Sequence, residues 1–239
     1  MLDRDTLTGR LDRLMQEEVS RFGAEVPNAG LLTDPAAPVD VAYYLRHRIE
    51  TVHRIRLTAE TDAKALSAMI PVNYEAARLW GRYTAEEMQH DRIFLRDLAR
   101  HGLSDAQVLA VPPYASTRAM LAFLHRAIDE GGGLPAVAYS LFVEWNSERA
   151  GPAVADKIAR QFGAGHVAGA RAHLQLDDKE EHWTMMVDVA RALLADERDA
   201  ERLDDLIRAV AEHFRAYFRE LHETTIGWRV AQAAPAAAE

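Results

Sequence analysis

Apolar residues recur at three- and four-residue intervals along most of the 239-residue chain, the spacing that lines one face of an α-helix. Residues 3–22 place Leu7, Leu11, Leu14 and Phe22 on one side. Residues 27–39, with Pro27, Gly30, Pro35 and Pro38, read as an irregular connection. Asp40 then caps a long helix predicted to reach about Ala68, with Ala42, Leu45, Ile49 and Val52 on its apolar side. Pro71 opens a helix predicted to run unbroken to Gly102, and Ser104 to Leu109 reads as one short turn. Residues 116–129 form a helix stopped by Gly131, Gly132 and Gly133. The next helix, Pro135 to Arg149, is unusually apolar, and Gly151-Pro152 separates it from another ending near Phe162. Past Gly163 and Gly165, a helix starts at His166, followed by amphipathic helices over 183–195 and 199–224. No stretch alternates with period two and no internal repeat is present. The pattern predicts an all-α fold. A single helical domain is expected over residues 1–228, and the tail 229–239, without bulky apolar residues past Val230, is expected to be disordered.

Several polar residues sit where this pattern calls for hydrophobes. One stripe collects Trp80, Tyr83, Glu87, His90, Phe94 and Leu98. Glu87 and His90 are three residues apart and therefore neighbours on one helix face. An ionised carboxylate turned into a core costs several kcal/mol or more unless something positive meets it. Glu-x-x-His on an inward face is how helical bundles present two ligands to iron or manganese. Thr84-Ala85-Glu86-Glu87 also fits a capping box, which would put Glu87 on the surface at a helix start; the unbroken periodicity from Val72 to Tyr83 favours one long helix with Glu87 buried in its middle. The same inward placement recurs at Glu144, in the stripe Val137, Leu141, Glu144 and Glu148, with Glu148 at the rim. It recurs again at His173 and Asp177, followed by Glu180, Glu181 and His182 on the next turn. A second Glu-x-x-His, Glu50 to His53, lies among Arg46, Arg48, Arg54 and Arg56 and reads equally well as a solvated charged flank.

Composition narrows the chemistry. The chain has no cysteine, which removes disulfides, zinc-thiolate sites, iron–sulfur clusters and cysteine nucleophiles together. Net charge is −9, so a nucleic-acid backbone is not an expected partner. No apolar run approaches membrane-spanning length, and the acidic start Met-Leu-Asp-Arg-Asp is unlike a signal peptide, so a soluble cytoplasmic protein is expected. Oxygen and nitrogen donors without sulfur suit non-haem iron or manganese, with zinc as an alternative. The donors outnumber what one catalytic ion with open positions needs, which favours two ions sharing a carboxylate.

At these residues the chain resembles the haem-oxygenase-like di-iron oxidases and oxygenases, whose pattern is Glu-x-x-His, a lone Glu on a following helix, then His-x-x-x-Asp-x-x-His. Glu87-Met-Gln-His90, Glu144 in Phe-Val-Glu-Trp, and His173-Leu-Gln-Leu-Asp177 match it in order, over roughly residues 40–225. The resemblance implies a haem-oxygenase-like bundle of about seven to nine helices. It implies a metal set of Glu87, His90, Glu144, His173, Asp177 and either Glu180 or His182. The family's last His falls at Glu180 here, and His182 lies two residues further on, reachable if the helix bulges. Glu50, with His53 beside it, is the candidate for an added ligand. The resemblance further implies two Fe(II)/Fe(III) ions per chain, with O2 as co-substrate, and oxidation of a small metabolite: N-oxygenation of an amine or amino-acid-derived substrate, or oxidative C–C cleavage of a fatty or amino acid. An external electron donor and a second copy of the chain complete the expected partners. Four rival readings remain: a haem protein using His47 or His53 as axial ligand, a cofactorless oxidase of the pyrroloquinoline-quinone type, which would need no carboxylates at the ligand positions, a helical binding module whose inward acids pair with arginines, and a thiamin-degrading hydrolase of the same layout. The last relies on a cysteine this chain lacks.

Overall fold

The computed structural model describes residues 3–180 and 182–227, with the side chains of 176–180 outside that description. Among the described residues the regular structure is helical throughout. Helix α1 spans Arg4–Glu25, its first turn capped by the Asp3 carboxylate accepting from Thr6 N. Helix α2, Val41–Met69, begins at Asp40 as the sequence predicts, and its 29 residues span about 44 Å. Helices α3, Tyr74–Glu87, and α4, His90–Arg100, follow. A short α5, Asp105–Ala110, carries a full capping box between Ser104 and Gln107. Helix α6 is Ala115–Gly131 and α7 is Leu134–Phe162. A 3-10 turn, Ala164–Val167, leads into α8, Ala168–Glu180, then α9, His182–Leu193, and α10, Glu197–His222, which closes in a π-helical turn, Glu223–Gly227. No described helix is long and apolar enough to cross a membrane.

Helices α2 and α7 are the two long rods about which the others pack. Helix α2 touches α3, α4 and α6, whereas α7 touches α8, α9 and α10. The largest buried cluster joins α1, α3, α7, α9 and the start of α10 through Leu11, Met15, Trp80, Leu141, Met186 and Leu203. A second cluster, with Val52, Leu98, Ile158 and Val167, ties α2 to α4 and α8. The wall between these two clusters is where α3 ends and α4 begins.

Two helix boundaries differ from the sequence expectation. The predicted Pro71–Gly102 helix is two helices: it starts at Asn73, whose side chain accepts from the amides of Glu75 and Ala76, and breaks at Met88–Gln89. At the break the ladder tightens to three-residue bonds, Gln89 N to Glu86 O at 3.1 Å and Arg92 N to Gln89 O at 3.3 Å. The cause lies in what each half docks on. Trp80 Nε1 donates to the Asp62 carbonyl on α2, and Asn73 Nδ2 to the Ala192 carbonyl beside α9, which fixes α3. Helix α4 is fixed to α8, where both Asp97 carboxylate oxygens accept the amides of Gly169 and Ala170 at 2.8 Å. A Cβ on Gly169 would collide with the Ile93 carbonyl, so only glycine lets these backbones approach. One straight helix does not meet both partners. Glu87 is accordingly the last residue of α3, half-buried, and not the middle of a long helix. Thr84 is no N-cap either: it lies inside α3 and its hydroxyl donates to the Gly81 carbonyl.

The second difference is at Gly151-Pro152, where α7 continues without interruption. Pro152 removes one ladder bond, and packing on both sides outweighs that loss. A Cβ on Gly151 would sit 2.6 Å from Leu174 Cδ2, so this glycine serves the close approach of α8 to α7 and does not end the helix.

Candidate metal centre

The break at Met88–Gln89 presents Glu87 from the end of α3 and His90 from the start of α4 toward the same space. His90 Nδ1 lies 2.9 Å from Glu87 Oε1. His173 comes in from α8, its ring 4.2 Å centroid to centroid from that of His90. From the other side α9 begins at His182, whose Nδ1 is 3.5 Å from the same Glu87 oxygen and 3.9 Å from Glu144 Oε2 on α7. Two triads result, Glu87–His90–His173 and Glu87–Glu144–His182, each with donor atoms within 4.8 Å of one another. Glu87 belongs to both. Metal–ligand bonds of about 2.0–2.2 Å put ligand atoms at most about 4.4 Å apart across one ion, so each triad is near the size of a first coordination sphere.

The donor set fits a cation. Glu87 Oε1 is buried and accepts no hydrogen bond among the described residues, and its close neighbours there are imidazoles, with no described Lys or Arg paired to it. A buried carboxylate oxygen left in that state is costly unless a positive charge meets it. The surrounding groups orient the ligands. Tyr83 donates its hydroxyl to Glu144 Oε1 at 2.7 Å, and burial beside Glu144 and Glu87 holds that phenol's pKa well above its usual value. His182 Nε2 lies 3.2 Å from Glu86 Oε2; with Nε2–H donating there, Nδ1 keeps its lone pair toward Glu87 and Glu144. Glu86 is in turn tied to Arg82 at 3.1 Å. Asp62 on α2 is buried, and burial followed by the charge of Glu87 pushes its carboxyl up to about 8.

The structure thus brings Glu87, His90, Glu144, His173 and His182 together. The side chains of Asp177 and Glu180 lie outside the described residues. Glu50 and His53 fall in neither triad. Glu50 is completely buried, so the solvated-flank reading fails as well: its carboxylate accepts from Arg46 at 2.5 Å, from the Tyr114 amide at 3.0 Å and from the Thr117 hydroxyl at 2.6 Å. His53 is buried beside it. His47 bonds the Tyr217 hydroxyl through Nδ1 at 2.8 Å, and burial lowers its pKa well below normal. Glu86, Tyr83 and Asp62 are members of the site's surroundings that sequence spacing did not single out. Tyr83 already stood in the apolar stripe, whereas nothing local marks Asp62, whose relevance comes from α2 crossing α3.

No curated protein sequence matches this chain. A solved structure from Shewanella denitrificans OS217, a domain of unknown function with a haem-oxygenase-like fold, superposes with a TM-score of 0.78 at 15% identity, covering 100% of this chain and 99% of the other. A TenA homologue from Pseudomonas syringae pv. tomato DC3000 superposes with a TM-score of 0.70 at 13% identity, covering 89% and 93%. These likenesses establish the all-α, haem-oxygenase-like fold. A family model described as iron-containing redox enzyme matches residues 52–218, a span that contains every donor of both triads. The chain belongs to the family of iron-containing redox enzymes.

Proposed function

We propose that the protein is an O2-dependent non-haem di-iron oxidase or oxygenase acting on a small metabolite. The observation that carries this reading is Glu87, one carboxylate common to two nitrogen- and oxygen-donor triads. A carboxylate has two oxygens and can serve two neighbouring ions at once, and the sulfur-free donors on either side suit iron. Membership of an iron-containing redox family supports the same metal. When bound, a pair of iron ions supplies the electrons for reducing O2 beside the substrate.

The chain's own residues then have separable tasks. His90 and His173 would complete one position and Glu144 and His182 the other, with Asp177 as a further sequence candidate and Glu180 as the sequence alternative to His182. Tyr83 holds Glu144 through one oxygen and leaves the other facing His182. Glu86 fixes the His182 ring. Burial of Trp80, Tyr83 and Phe94 around the ligands keeps bulk water from the centre and strengthens each electrostatic contact inside it. Oxidation of an amine-bearing or amino-acid-derived substrate is the reaction favoured here, with oxidative cleavage of a carboxylic acid as the alternative at the same site.

Anaerobic titration of metal-free protein with Fe(II) tests the reading. Two ions per chain are expected, with stoichiometric O2 uptake on exposure to air. Saturation at one ion, or iron that air leaves ferrous, overturns it.

A further inference from the structure

One buried cation is left incompletely satisfied by the protein. Arg54 on α2 is 7% exposed, and its guanidinium rests over the rings of Tyr217 at 4.5 Å and Phe214 at 5.5 Å. Nη2 donates to the Thr51 hydroxyl at 3.3 Å, whereas Nη1 has no hydrogen-bond partner among the described residues. No carboxylate forms an ion pair with Arg54 among the described residues. The nearest acid on the same helix, Glu50, is saturated by Arg46, Tyr114 and Thr117. An arginine keeps its charge at any attainable pH, so burial without a carboxylate is not relieved by deprotonation. The aromatic faces and the Tyr217 hydroxyl, which hydrogen-bonds the guanidinium, stabilise the charge without supplying a counter-ion.

Arg54 is also aligned with the metal centre. Arg54, Thr58 and Asp62 follow one another at four-residue spacing and so form a polar ridge along a single face of α2, about 12 Å from end to end. Asp62 at the far end is the carboxylate that faces Glu87. Across from the ridge, Tyr139 of α7 is within electrostatic reach of Arg54 and also of Asp62, Glu87 and Glu144. The ridge residues, Tyr139 and Phe214 each keep 7–8% exposure, whereas Val52, Thr61 and Val210 close by have 0–1%. These residues form a slightly exposed row between α2, α7 and α10, while Arg54 Nη1 itself is closed off within it.

We propose that Arg54 is the anchor for a carboxylate on the substrate, so that the substrate is an elongated carboxylate-bearing molecule whose reacting atom lies about 12 Å from that carboxylate, the length of the α2 ridge. Arg54 Nη1 supplies a donor that no described residue uses, and guanidinium–carboxylate geometry fixes the orientation. The ridge and Tyr139 direct the rest of the molecule toward the triads. This assignment rests on the triads being the reaction centre, but the anchoring itself does not need the metal.

The test accordingly uses metal-free protein in chelator, titrated calorimetrically with octanoate, acetate and octan-1-ol. Wild type should bind one octanoate per chain, at least tenfold tighter than acetate or octan-1-ol. Arg54→Gln should weaken octanoate at least tenfold and leave octan-1-ol unchanged, with Arg54→Lys in between. Circular dichroism and a melting temperature equal to or above wild type for Arg54→Gln are expected, because the substitution removes an incompletely paired buried charge. Equal binding of octanoate and octan-1-ol by wild type, which needs no variant to fold, overturns the proposal, as does octanoate binding that ignores residue 54. Wild-type protein that binds octanoate through Arg54 but takes up no Fe(II) instead overturns the di-iron reading and leaves the anchor standing.

Discussion

Two Glu-x-x-His pairs stand on neighbouring helices, and their fates are opposite. Glu50–His53 on α2 and Glu87–His90 at the α3–α4 break have the same spacing and both turn inward. Around Glu50 the protein provides a guanidinium, a backbone amide at the start of α6 and a hydroxyl. That carboxylate is a structural tie. Around Glu87 the protein supplies imidazoles and further acids, and one buried oxygen accepts no hydrogen bond among the described residues. The difference teaches that the motif specifies neighbours on one face, whereas the elements packed against that face decide whether the charge is already neutralised. A saturated pair has nothing left to bind; an acid-rich, imidazole-rich one needs a cation.

The comparison breaks most clearly under substitution of the two glutamates. Glu87→Ala removes the donor common to both triads, so iron content after anaerobic loading should fall from two per chain to below 0.2, roughly a hundredfold loss of affinity at each position or more. His90→Ala should leave one ion, held by Glu144 and His182. A Glu87→Ala protein that still holds two irons would end the shared-ligand reading. Glu50→Ala should do the converse. Iron content stays at two, while metal-free protein loses about 3 kcal/mol in urea unfolding, because Arg46, the Tyr114 amide and Thr117 lose a buried partner.

A smaller effect follows the acids around Glu87. Burial holds the Asp62 carboxyl at about 8 in the folded state, above its ordinary value of 3.8, so the native state binds more protons than the unfolded chain between those values. Its stabilising contribution is therefore complete below pH about 4 and is lost as pH rises to 8, with a slope of at most about 1.4 kcal/mol per pH unit. In metal-free protein Asp62→Asn should flatten that slope and melt higher than wild type at pH 8. An unchanged slope would exclude Asp62 as its source. The smallest effect is expected for Tyr83→Phe, which keeps the ring and deletes the hydroxyl that orients Glu144. Affinity at the Glu144–His182 position should drop about tenfold, with the other position unaffected, a split readable in the second phase of the iron titration.

Much of this architecture was legible in residue spacing. The 3.6-residue period located the helices, Asp40 and Ser104 marked two starts, and inward acids at Glu87 and Glu144 and imidazoles at His90, His173 and His182 stood out against their apolar stripes. Those features are local: a side chain's face on a helix depends on its own register. Three further properties belong to the tertiary structure. The Met88–Gln89 break arises because α3 is tied to α2 and α9 while Asp97 and Gly169 tie α4 to α8. Gly151 lies inside α7, which continues through Pro152, and its missing side chain leaves room for Leu174 of α8. The choice of Glu87 over Glu50 depends on Arg46, Tyr114 and Thr117 reaching one and not the other. Sequence determined which groups point inward, because periodicity is set within a few residues. Only the packed chain decided which of them remain in need of a partner, because neutralising a buried charge takes atoms from helices far apart in sequence.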